Sequence, residues 1–156
     1  MAKTPTPIFP QTPNQGVNAI LTTAMTNTKA FDGTETAGTS MVLAFTAGAE
    51  GARIDQAKIR YRSTNGATAS GTTNATVVRF FLNNGAVNTT AANNCFVGEI
   101  AIPAQAVTSL ATSTMPEYVY NLDLDVPAGY KLYAGTTVAV GGTNCALQID
   151  VSGGDY

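Results

Sequence analysis

The chain has 156 residues, a formal net charge of −2, 44% hydrophobic and only 12% charged residues. That length allows one domain with a sizeable core, and the negative balance removes any electrostatic drive toward nucleic acid. There is no histidine, which excludes Ser-His-Asp and Cys-His catalysis and most catalytic metal sites.

The charged share is about half the usual ~25%. Thr, Ala, Gly and Asn take its place. Long charged side chains are depleted at interface cores, so a charge-poor surface suits a protein packed among neighbours. Thr-rich strands alone would give the same composition. No apolar stretch approaches the roughly 18 residues of a membrane span. No apolar run follows Lys3, so a secretory leader is not expected. A soluble chain made in a cytosol, with no membrane and no nucleic-acid partner, is expected.

Residues 1–16 hold four of the seven prolines, Pro5, Pro7, Pro10 and Pro13. Proline fixes φ and removes a backbone donor, so the segment reads as an extended arm. Its prolines, with Ile8 and Phe9, are candidate interface residues. At roughly 3.1 Å per residue the arm spans about 50 Å, enough to cross a subunit boundary. Residues 17–156 form the body.

Along the body, period-2 alternation predicts nine strands: Val17–Ala24, Met41–Thr46, Arg53–Ser63, Asn74–Asn83, Cys95–Ile102, Glu117–Asp125, Tyr130–Ala134, Thr137–Gly141 and Cys145–Val151. Asp32-Gly33, Asn65-Gly66 and Asn84-Gly85 are turn dipeptides. Pro127-Ala128-Gly129 reads as a hairpin turn. Thr64–Thr73 and Ala86–Asn94 are polar loops. Short strands at this spacing predict an all-β fold, an antiparallel β-sandwich with jelly-roll-like connections.

Alternation also assigns faces. Met41, Leu43 and Phe45 share one; so do Ile59 and Tyr61, then Phe96, Ile100 and Ile102. Tyr118, Tyr120, Leu122 and Leu124 form another apolar set, and Cys145, Leu147, Ile149 and Val151 the last. Asn74–Asn83 is apolar on both faces, with Val78, Phe80 and Leu82 on one and Val77 and Phe81 on the other. The second face needs a cover: a loop, the arm or another subunit. Phe81 beside Arg79 has the composition of an interface anchor.

Lys58, Arg60 and Arg62 form a basic stripe. Glu117, Asp123 and Asp125 form an acidic one. If the two strands are neighbours, the stripes pair across them at about 0.2–1 kcal/mol per contact; if not, they offer complementarity between subunits. The spacing of Asp123 and Asp125 could also hold a calcium ion with loop carbonyls, although a solvated acidic stripe is the simpler reading. Cys95 and Cys145 read as small reduced hydrophobes; the alternative is a disulfide closing a long loop, worth about 4 kcal/mol.

No GxSxG, P-loop or GxGxxG motif is present, and no clear carboxylate pair suits a glycosidase. The absence of Trp weakens carbohydrate stacking and single-strand binding. Neither enzymatic activity, nor a metal, nor a cofactor is expected.

Four phrases in order carry a resemblance: Phe45-Thr-Ala-Gly-Ala-Glu-Gly-Ala-Arg-Ile-Asp55, Val78-Arg-Phe-Phe-Leu-Asn-Asn-Gly85, Val126-Pro-Ala-Gly-Tyr-Lys-Leu-Tyr-Ala134 and Gly153-Gly-Asp-Tyr156. From about Phe31 onward the chain resembles small β-rich proteins encoded in the structural modules of tailed bacteriophages. The resemblance implies a virion component. Within virions it points to a capsid decoration (cement) protein on the capsid surface, a homotrimer bound to the major capsid protein. The alternative is a tail or head-fibre component whose loops bind the host surface.

Overall fold

The computed structural model describes Pro10 and residues 12–26, 32–35, 40–64, 66, 68–108 and 115–156, with the backbone alone at 17 and 18. The candidate interface residues Pro5, Pro7, Ile8 and Phe9 lie outside the described residues. Eight strands are described: β1 (Thr12–Leu21), β2 (Met41–Thr46), β3 (Ala52–Ser63), β4 (Thr76–Asn83), β5 (Asn94–Ile102), β6 (Glu117–Val126), β7 (Lys131–Thr136) and β8 (Cys145–Asp155). A short 3₁₀ turn, Ala91–Asn93, precedes β5. No helix among the described residues is long and apolar enough to cross a membrane.

The strands form two antiparallel four-stranded sheets, in the orders β1-β8-β3-β6 and β2-β7-β4-β5. Their inner faces enclose one core in a sandwich-like arrangement. Ile54, Ile59, Leu147 and Ile149 come from the first sheet; Val78, Phe80, Ile102 and Leu132 come from the second. Alternation on β3 and β8 is the physical cause: one face is apolar and buried, the other polar and solvated.

Three expectations change. The first strand begins at Thr12, because Thr12 to Gly16 pair with Asp155 to Val151 of β8. Five residues assigned to the arm therefore belong to the sheet. Pro13 is tolerated because β1 is an edge strand, where a missing N–H costs no ladder bond if it faces outward. Thr137–Gly141 is a loop rather than a strand. Its backbone groups bond singly to separate partners and form no ladder: Thr76 Oγ1 donates to Val138 O at 2.9 Å and accepts from Val138 N at 3.0 Å, and Val140 N donates to Thr22 O at 3.1 Å. Pro127-Ala128-Gly129 is a tight turn, with Tyr130 N donating to Pro127 O at 3.3 Å, but β6 and β7 belong to different sheets. The turn carries the chain across the core instead of closing a hairpin.

Bulges alter the faces. In β2, Leu43 pairs with Tyr133 and Phe45 with Leu132, which leaves Ala44 extra. Phe45 therefore enters the main core, Met41 packs on the opposite side of the sheet, and Leu43 is exposed. In β5 the register shifts between Phe96 and Gly98. Phe96 joins the outer cluster, while Val97, Ile100 and Ile102 pack on the main core. An extra residue reverses every side chain beyond it, because the strand period is two.

Candidate functional site

The outer face of the β4-bearing sheet was expected to need a cover, and the same chain supplies it. Met25, Met41, Phe81 and Tyr133 form a second buried cluster, with Phe96 against it. Met25 reaches it from the β1–β2 connection, where Met25 N donates to Thr136 O at 2.8 Å. Gly33 lies so close that a Cβ there would come within 2.8 Å of the Phe81 ring. Burial raises the Tyr133 hydroxyl above its ordinary pKa.

A buried carboxylate fastens this covering segment. Glu35 accepts hydrogen bonds from Thr26 N at 2.9 Å and Thr26 Oγ1 at 2.7 Å. Its backbone carbonyl accepts Asn88 Nδ2 at 2.6 Å. Phe81 is 1% exposed, so it is no interface anchor. Arg79 beside it donates from Nε to Glu99 at 2.9 Å. Both residues serve the fold of their own chain.

The outer face of the other sheet carries the charge. The basic and acidic stripes do lie on neighbouring strands, β3 and β6. Arg60 is directly opposite Glu117, and their side chains form an ion pair. Lys58 reaches the same carboxylate at 4.0 Å. Arg62 turns to β8, where its Nη1 donates to Gln148 at 3.3 Å. Asp123 and Asp125 pair elsewhere: Arg53 donates to Asp123 at 3.1 Å and to Asp125 at 3.3 Å. The sequence reading missed Arg53. Its signal was register, since Arg53 stands opposite Asp125.

The Tyr156 hydroxyl also donates to Asp125. That bond, then the Arg53 guanidinium, holds the Asp125 carboxyl below its ordinary value. The same bond pushes the Tyr156 hydroxyl up. A guanidinium thus occupies the place between the aspartates that a calcium ion would need. Among the described residues no group of three His, Cys, Asp or Glu side chains is placed to hold a metal.

Between these pairs lies a polar trough of about 520 Å³ on β1, β8 and β3. Its rows follow from register. Gln15 of β1 is opposite Ser152 of β8, which is opposite Gln56 of β3. Asp150 is opposite Lys58, and Gln148 is opposite Arg60. Gln148 Nε2 donates to both oxygens of Asp150, at 2.9 and 2.7 Å. Amides, a hydroxyl and both charge signs line one surface, which suits a polar chain.

At one end of this face the N-terminal segment reappears. Pro13, Gly154, Arg53 and Asp125 form the last row. Gly154 has no side chain, and Pro10 occupies the space: a Cβ on Gly154 would come within 2.6 Å of Pro10 Cβ. Cys95 is exposed on β5 and Cys145 buried on β8, both free thiols. They lie in different sheets, and the disulfide alternative is not formed.

No family model matches the chain, and no curated protein matches it.

Proposed function

We propose that this chain is a capsid decoration (cement) protein of a tailed bacteriophage, with a jelly-roll fold, a trimeric state on the capsid surface and no catalytic step. The orders β1-β8-β3-β6 and β2-β7-β4-β5 support the jelly roll. Every connection except β4 to β5 passes from one sheet to the other, as in two interlocked Greek keys. The resemblance of the four phrases supports the virion and the trimer.

The observation that carries the reading is the junction at Thr12. The proline-rich segment enters the edge strand of a sheet there, at the corner where Asp155 ends β8. Asn14 Nδ2 donates to Asp155 at 2.8 Å and to Thr46 O at 3.0 Å, and Gly48 N donates to Asp155 at 3.0 Å. The start of β1 is thus fastened to both sheets. A proline-rich segment ahead of a strand held this firmly suits a tether to an adjacent subunit or to the major capsid protein. The mechanism is passive: many weak linked contacts give avidity through effective concentration.

The test is copy number per virion of the source phage, with a particle map. A copy number comparable to that of the major capsid protein, with density on the outer shell, is expected. A few copies confined to the tail or one vertex would overturn the reading. They would favour the tail or head-fibre alternative, for which one observation speaks: Val87, in the Ala86–Asn94 loop, is 65% exposed.

A further inference from the structure

We propose that Asn84 is a latent deamidation site, and that Asn83 keeps it closed in the folded chain. The site is Asn84-Gly85, just past the end of β4. In the reaction the Gly85 backbone nitrogen attacks Cγ of the Asn84 side chain. The new C–N bond closes a succinimide. The proton lost from Gly85 N passes through water to Nδ2, which leaves as ammonia. Water then opens the ring to aspartate or isoaspartate, and no other reactant is needed.

The fold brings the reacting groups together. Asn84 is exposed to water. Its Oδ1 accepts from Ala86 N at 3.1 Å, an Asx turn that lays the side chain against the backbone that follows it. Gly85 has no side chain to shield its nitrogen. No shielding residue can replace it. Its φ is 92°, a conformation that favours glycine, and a Cβ there would come within 2.9 Å of Gly129 O. The turn thus requires the vulnerable pair.

Asn83 opposes the reaction. Its side chain is buried, and its Oδ1 accepts from Gly85 N at 2.9 Å. Its Nδ2 donates to Asn94 Oδ1 at 2.8 Å, which fixes the amide; register places Asn94 directly opposite on β5. To attack, the Gly85 nitrogen must turn the face of its peptide toward Cγ, and that breaks the bond to Asn83. The groups around it are held too. Asn84 Nδ2 donates to Asn93 Oδ1 at 3.3 Å, and Lys131 Nζ donates to Gly85 O at 3.4 Å. Deamidation would put an acceptor in place of Nδ2, against the Asn93 oxygen. Isoaspartate would also add a methylene to the backbone. Both changes loosen the Ala86–Asn94 loop.

The full-length protein is incubated in warm, mildly alkaline buffer. Conversion at Asn84 is followed as the mass gain of an amide becoming an acid, located by fragment ions. The folded chain is expected to convert more slowly than the same chain unfolded in guanidinium chloride; equal rates would overturn the proposal. Asn83→Ala is expected to speed conversion of the folded chain by about 2- to 12-fold, the effect of one hydrogen bond. Core amides such as that of Ile149 should stay protected from exchange in that variant. A folded variant that converts no faster would remove Asn83 as the guard. So would acceleration matched by loss of core protection, because unfolding would then be the cause. A second measurement needs no substitution. Across sub-denaturing guanidinium concentrations, conversion of the wild-type chain is expected to rise in step with hydrogen exchange at the Gly85 amide. Conversion that does not follow this exchange would overturn the proposal whether or not the variant folds.

Discussion

Gly98 of β5 lies against the Tyr120 side chain of β6, so closely that a Cβ on Gly98 would overlap the Tyr120 hydroxyl. The contact closes one open side of the sandwich, where the two sheets meet without hydrogen bonding. Tyr120 in turn stacks on Phe80, with ring centroids 5.4 Å apart. On the opposite side, Gly16 of β1 passes the carbonyl of Ala44 with the same lack of room. Each closure joins a glycine to a residue near a bulge, where the strand bends toward its partner sheet.

Gly98→Ala is therefore expected to destabilise the fold by about 1–3 kcal/mol, the usual cost of overpacking. Because the nearest obstacle is the hydroxyl, Tyr120→Phe should recover part of the loss in the double variant. Denaturant midpoints of the four proteins test this. Additive losses would mean that the two residues do not meet as described.

Those closures mark the limit of what the sequence made legible. Strand existence was readable because alternation is strong: β2 was bounded correctly, and β3, β5, β6 and β8 began within a residue. Bulges at Ala44 and Val97 were not, since one additional residue carries no compositional mark. They put Phe45 on the face opposite Met41 and Leu43, and Phe96 on the face opposite Ile100 and Ile102. The segment Thr137–Gly141 has strand composition, yet Gly141 and Gly142 take φ values of 71° and 72°, which favour a turn. The cover over Phe81 rests on Met25 and Gly33, two residues without a pattern. The stripes were legible as charges but not as partners, because pairing depends on register and on a bulge opposite Asp55.

Phe81 separates the fold from the interface. As part of a buried cluster it should cost about 3–5 kcal/mol when truncated to Ala, and Met25→Ala about 2–5 kcal/mol. Both variants should melt earlier at every protein concentration. An interface anchor would behave differently, leaving the free chain as stable as before and shifting only its association. Thermal melts beside sedimentation measurements distinguish the two.

The pairing on the charged face predicts a selective coupling. Arg60→Glu with Glu117→Arg should regain the stability lost in each single variant, with a coupling of about 0.2–1 kcal/mol, since the pair is exposed. Arg60→Glu with Asp123→Arg should show none, because Asp123 faces Arg53. A double-mutant cycle in low salt measures both. Equal couplings would contradict the register.

The Tyr156–Asp125 bond links pH to the end of β8. Asp125 is depressed in the folded chain, so its contribution is present above the ordinary carboxylate value of about 4 and fades as pH falls through its lowered pKa. Tyr156 is raised. Its contribution is complete below about 10, the ordinary phenol value, and is lost as pH rises through the folded value. Stability should thus decline at both extremes, and Tyr156→Phe should flatten the alkaline limb. Tyrosinate absorbance should show one phenol fewer titrating late in that variant. An unchanged alkaline limb would mean that the bond contributes nothing.

Truncation distinguishes arm from strand. Removing residues 1–9 leaves β1 whole, so the body should keep its melting temperature, while particle binding falls if the arm is the tether. Removing residues 1–16 also deletes the pairs from Thr12–Asp155 to Gly16–Val151 and the Asn14 clasp on Asp155 and Thr46. Each lost hydrogen bond is worth about 0.5–1.5 kcal/mol net, and a chain of this size loses about 2–4 °C per kcal/mol. The longer deletion should therefore melt several degrees lower, and its loss of binding would confound the arm with the fold. Equal melting temperatures for the two deletions would mean that Thr12 to Gly16 add nothing to the sheet. Full particle binding by the shorter deletion would remove the tether, because every contact needed on the shell would then lie in the body.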